Sequence, residues 1–127
     1  MIVPGMQTTV RRTEHLTPNP AHVPRAERKM RSEAVAARFG ENLRRCRRRA
    51  GLSQEELGVR ASLHRTEIGL LENGMRVARI DTLVQLAGAM AIPPSELLEG
   101  IHWTVAEPRS GRFSFTGTPT PPRRRPD

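Results

Sequence analysis

The chain has 127 residues, 21 Lys+Arg against 13 Asp+Glu for a formal net charge of +8, and only three Phe, one Trp and no Tyr. That length holds one modest domain with tails, too little for a (β/α)8 barrel or a large β-sandwich, and a single Cys excludes an intrachain disulfide framework and a multi-cysteine metal site. No stretch approaches the roughly 18 apolar residues of a membrane span and no secretory signal pattern opens the chain, so a cytoplasmic protein away from the membrane is expected.

Residues 1–24, with Pro4, Pro18, Pro20 and Pro24, read as a disordered N-terminal arm. From Ala26 to Ala50 there is no proline, and Gly40 is the only glycine, so this stretch is one long helix or two short ones meeting near Gly40. Phe39, Leu43, Cys46 and Ala50 share one helical face, which makes Cys46 a core thiol. Arg44, Arg45, Arg47, Arg48 and Arg49 are expected on the wet face, and Gly51 as the glycine that ends the helix.

Ser53 followed by Glu56 three residues later is a capping box for a short second helix reaching about Ala61. Ser62 is expected to cap a third helix, 62–72, anchored by Ile68 and Leu71 and ended by Asn73-Gly74. A fourth runs from Ile80 to Ala91 with Ile80, Leu83, Val84, Leu86, Ala87 and Met90 inward. Ile92-Pro93-Pro94 breaks it, and Ser95 caps a fifth. Five helices with short connections predict a compact all-α domain over 38–99, preceded by a helical extension over 25–37.

After Gly100 the period changes. Ile101, Trp103 and Val105 alternate with polar residues, as do Phe113 and Phe115, with a turn at 107–111 between them, so residues 100–116 read as a short β-hairpin. A lone hairpin is marginal in water and needs cover, from the helical domain or from a second copy of the chain. Residues 117–127, with four Pro and Arg123-Arg124-Arg125, read as a disordered basic tail.

Charge is uneven. Residues 25–50 carry ten basic residues against three acidic ones, and residues 51–99 carry four against seven. The excess suits a polyanion, but the apolar-periodic half is itself acidic. Two tightly joined capped helices, the second polar in its first turn at His64, Arg65 and Thr66 and apolar later, are a helix-turn-helix arrangement, in which the second helix lies in the DNA major groove.

The run from Phe39-Gly-Glu-Asn-Leu through Gly51-Leu-Ser-Gln-Glu-Glu-Leu and Leu70-Leu-Glu-Asn-Gly to Pro94-Ser-Glu-Leu-Leu resembles the Cro/C1-type (XRE) helix-turn-helix family. The resemblance covers residues 38–99. It implies a five-helix lambda-repressor-like domain and a DNA-binding transcriptional regulator, most often a repressor, that binds double-stranded DNA as a homodimer on inverted repeats. It further implies base contacts from His64, Arg65, Thr66, Glu67 and Leu70. Gln54, which also braces the second helix, Asn73 and Arg76 would contact the backbone; the exposed Arg44–Arg49 cluster adds Arg44 and Arg48 as candidates. Glu67 would orient Arg65, and Asn73 could cap the third helix through its tolerance of a left-handed backbone. Gly58 and Ser62 depart from the family's usual alanine and turn glycine.

Trp103, Phe113 and Phe115 are the expected dimerisation element. Packing of the hairpin on the fifth helix and docking of a protein such as a toxin, which would make the chain an antitoxin, are the alternatives. The four histidines lack metal-ligand spacing, and there is no phosphate-cradling glycine loop or nucleophile elbow, so neither an enzyme, a metal site nor a cofactor is expected.

Overall fold

Twenty-five consecutive residues without proline form the longest element, α1 (Arg25–Arg49), in a computed structural model that describes residues 23–106 and 111–117. The helix is continuous through Gly40. A Cβ on Gly40 would lie 2.5 Å from the carbonyl oxygen of Leu71 and 2.6 Å from that of Glu72, so the absent side chain lets α1 cross the end of another helix at backbone contact. At the far end Gly51 has φ +74°, its N–H donates to the Arg48 carbonyl, and the Leu52 N–H donates to that of Arg47. This is a Schellman closure.

α2 (Gln54–Ala61) begins with the expected capping box: Ser53 Oγ accepts from the Glu56 N–H at 3.0 Å, and Glu56 Oε1 accepts from the Ser53 N–H at 2.8 Å. α3 (Arg65–Glu72) corrects the expectation for Ser62. Ser62 instead closes α2 as its C-cap, in the left-handed region at φ 60°, ψ 41°, and His64 caps α3. The turn folds back so closely that a Cβ on Gly58 would stand 2.6 Å from the Leu63 carbonyl oxygen. Glycine there therefore serves the turn, at a cost in helix propensity.

α4 (Ile80–Met90) buries Thr82, Leu86, Ala87 and Met90. The expected inward set is corrected at two positions, since Ile80 and Val84 are 80% and 54% exposed. The buried face runs through residues 82, 86 and 90, and Ile80 and Val84 stand on its flank, where no other element among the described residues covers them. α5 (Pro94–Leu97) starts on Pro94 with Pro93 before it, so Ser95 lies inside the helix and makes no side-chain cap. Phe39, Leu43, Cys46, Leu57, Ile68, Leu71, Leu86, Met90 and Leu97 form one core. Burial pushes the Cys46 thiol above its ordinary pKa. Asn42, fully buried, donates to the carbonyls of Leu97 (3.0 Å) and Glu99 (2.9 Å), tying α5 to α1.

β1 (Ile101–Val105) and β2 (Gly111–Phe115) pair antiparallel, with Trp103 opposite Phe113 and Ile101 opposite Phe115. The Trp103 and Phe113 rings meet edge to face at 5.0 Å. The hairpin lies along α1. Arg31 sits 5.3 Å over the Trp103 ring and donates to the Gly111 carbonyl at 3.1 Å, while Arg38 donates to the Thr116 carbonyl. Part of its cover thus comes from Arg31 and Arg38 of α1, while Trp103 and Val105 stay 47% and 71% exposed. The expected arm (apart from residues 23 and 24), most of the hairpin turn, and the tail beyond residue 117 lie outside the described residues.

Ser62 gives the first test. A non-glycine residue in the left-handed region costs roughly 1–2 kcal/mol. Ser62→Gly should therefore raise the unfolding free energy by about 1 kcal/mol in urea titration, and Ser62→Val should lower it.

Candidate nucleic-acid interface

One carboxylate holds the helices around α3. The Glu72 side chain is fully buried and accepts from Arg44 Nε at 3.3 Å, from Arg47 Nη2 at 3.1 Å and from Gln54 Nε2 at 3.1 Å, with Arg47 Nε as a further donor. Arg47 also donates to the Leu52 carbonyl at 2.8 Å, and Arg44 to Asn73 Oδ1 at 2.9 Å. α1, α2 and α3 therefore converge on Glu72. Burial alone would raise this carboxyl's pKa, but the hydrogen bond and charge of Arg47, with the bonds from Gln54 and Arg44, outweigh it and hold the group below its ordinary 4.5.

This geometry corrects the wet-face reading of α1. Arg44 and Arg47 are 6% and 9% exposed, because a buried acid on α3 needs both guanidinium groups. Arg44, expected to contact phosphate, is already committed to Glu72 and Asn73. Arg48 is exposed, as expected.

The other selected residues surround the two ends of α3. His64 Nδ1 accepts from the Thr66 N–H at 3.0 Å, which fixes the ring as the helix cap. Arg65 and Thr66 are exposed in the first turn, and Arg65 makes no ion pair among the described residues. Glu67 does not orient Arg65; its carboxylate pairs with Arg76 and fastens α3 to the following loop. Leu70 is half-buried. Gln54 braces α3 through Glu72. Asn73 has φ −90°, so the left-handed position expected of it is taken by Gly74 at φ +71°.

Sequence reasoning missed Glu72 and Arg47. The signal was present: Glu72 follows Ile68 by four residues on the buried face of α3, and Arg47 follows Leu43 by four on that of α1.

α2 and α3, joined by a three-residue turn and backed by α1, form a helix-turn-helix unit with a polar, exposed recognition-helix start. The helix-turn-helix domain family matches residues 38–99. The chain is 34% identical over 62 residues to Control protein C.BamHI of Bacillus amyloliquefaciens, covering 48% of this chain and 76% of that protein. It is 37% identical over 59 residues to the uncharacterized HTH-type transcriptional regulator y4dJ of Sinorhizobium fredii, covering 46% and 77%. Among solved structures, the restriction-modification controller protein C.AhdI from Aeromonas hydrophila shows 39% identity at a TM-score of 0.49, covering 50% of this chain and 97% of that one. The chain belongs to the Cro/C1-type (XRE) helix-turn-helix family and is a helix-turn-helix DNA-binding regulator. No helix among the described residues is long and apolar enough to cross a membrane.

Replacing Glu72 by Gln leaves two buried guanidinium groups without a counter-charge, and breaking a buried pair costs about 3–5 kcal/mol. Because the folded carboxyl titrates below its ordinary value, its stabilisation is complete above about pH 4.5 and is lost as pH falls through the folded value. Urea titrations across pH should show the Glu72→Gln deficit large at pH 7 and shrinking in acid.

Proposed function

We propose that the chain is a sequence-specific transcriptional repressor that binds an inverted-repeat operator as a dimer, with α3 in the major groove. The observation that carries this reading is the exposed pair Arg65 and Thr66 at the start of α3, with Arg65 in no ion pair among the described residues, on a helix whose far end is clamped at Glu72. Arg65 would read guanine through O6 and N7, and Thr66 a thymine methyl. His64, Glu67 and Leu70 complete the base-facing set. Gln54, Arg48, Asn73 and Arg76 would lie against phosphates. C.BamHI is named a control protein and y4dJ a transcriptional regulator, and gene control is the role assigned to this chain by likeness.

The dimer needs a pairing face. In this reading Trp103, Phe113 and Phe115 seat the hairpin on α1, and the uncovered flank of α4 at Ile80 and Val84 meets the second copy. A second reading, a toxin-type protein docked on the hairpin, rests on Trp103, still 47% exposed, and on Val105 beside it. A stoichiometric partner lost in Trp103→Ala would favour it.

Selection from a random duplex library at fixed salt should yield an inverted repeat bound by wild type at nanomolar concentration. Arg65→Ala should lose about 1–3 kcal/mol and its preference at one base pair per half-site. An unselective population sinks the specificity claim. Ile80→Asp with Val84→Asp should sediment as a monomer and lose the advantage of two half-sites while binding one half-site as wild type does.

A further inference from the structure

Ten basic residues lie in 25–50, and the fold neutralises half of them. Arg44 and Arg47 share Glu72, Arg31 pairs with Glu27, Arg45 with Glu99 and Arg49 with Glu96. Arg28 and Arg38 donate to the carbonyls of Val23 and Thr116. Arg25, Lys29 and Arg48 remain exposed with no carboxylate partner among the described residues. The free charge of α1 has therefore moved toward its N-terminal half.

That charge has a direction. Arg25, Lys29, Ser32, Ala36 and Gly40 follow one another at spacings of four, three, four and four, which is a single helical face. Gly40 is where this face meets the end of α3, and a Cβ on Gly74, in the loop after α3, would stand 3.0 Å from Ala37 Cα. N-terminal to Ala36 no residue of α1 is buried. The helix thus runs on past the end of α3, with Arg25 and Lys29 exposed on the same helical face as Gly40. At 1.5 Å per residue they lie about 18 and 12 Å along α1 from Ala37. On duplex DNA, with a phosphate about every 3.4 Å of axis per strand, this spans roughly four or five phosphates.

The overhang is braced. Arg31 and Arg38, seven residues apart on a different face, bond to Gly111 and Thr116 of the hairpin, and Arg31 stacks on Trp103. A bare helical extension has little tertiary support, whereas this one has a two-stranded splint along its side. The family match begins at residue 38, so both the overhang and the splint are additions to the shared domain.

We propose that Arg25 and Lys29 form a second phosphate-contact site, which grips duplex flanking the operator and lengthens the footprint without reading bases. The proposal rests on the DNA-binding reading above and gives the hairpin a purpose, which is to stiffen the arm that carries these two cations.

The test uses the full chain and its selected inverted repeat, once in a duplex with about ten extra base pairs on each side and once trimmed to the repeat. Each lost phosphate contact lowers the slope of log affinity against log salt by about 0.9. Arg25→Gln with Lys29→Gln should lower it by about 1.8 per bound chain on the long duplex. Between 50 and 200 mM salt, wild type should then lose roughly tenfold more affinity than the variant, per chain. On the trimmed duplex the two should bind alike. Glu33→Lys, an exposed change one turn further along, should steepen the slope on the long duplex only. Unchanged far-UV circular dichroism checks that the helix persists. Equal slopes on the long duplex, or equal losses on both duplexes, overturn the proposal. So does a variant that sediments differently from wild type, which would make the surface a contact between copies. Failure of wild type to bind any duplex overturns the DNA-binding reading itself, a result distinct from wild-type binding with an indifferent variant.

Discussion

A carboxylate buried between three helices determines how the rest of this domain is arranged. Removing Glu72 from water is costly, and the cost is offset because two guanidinium groups and an amide converge on its oxygens. The donors come from α1 and α2 and the acceptor from the last residue of α3, so the ion pairs fix the angle at which the recognition helix leaves the core. Gly40 allows the approach, because any side chain there would strike the carbonyls of Leu71 and Glu72. With its C-terminal end held in this way, α3 presents Arg65 and Thr66 to solvent, and Arg65 makes no ion pair among the described residues.

The same interaction explains why net charge is a poor guide to this protein. The arginine-rich second half of α1 looks like a cationic surface, yet most of it is used internally or neutralised by Glu72, Glu96 and Glu99. Residues 51–99 carry more acidic than basic residues. On the reading proposed above, attraction to DNA comes from a few placed side chains, some in the helix-turn-helix unit and some at the start of α1. Such a division separates base reading from backbone grip.

Features governed by local chemistry were legible in the sequence. The Ser53–Glu56 box, the glycine closing α1 and the alternation that set Trp103 against Phe113 each depend on residues close in the chain, and each appears in the structure. Features governed by distant partners were not. The burial of Arg44 and Arg47 depends on an acid 25 or more residues away. Gly40 looked like a possible break because the helix it touches is remote in sequence. Ile80 and Val84 fit an amphipathic pattern, but the neighbours of α4 cover a face displaced from theirs. At the candidate interface, residue types at the start of α3 were readable. The pairing of Glu67 with Arg76 was not, because loop residues that fold back leave no periodic signal.

The most direct measurement is amide chemical-shift mapping of the labelled full chain titrated with its selected duplex. The largest shifts should fall at residues 64–70, with smaller ones at Gln54, at 73–76 and near Arg25 and Lys29. Shifts confined to the hairpin, with the first turn of α3 unmoved, would contradict the assignment of α3 as the reading helix.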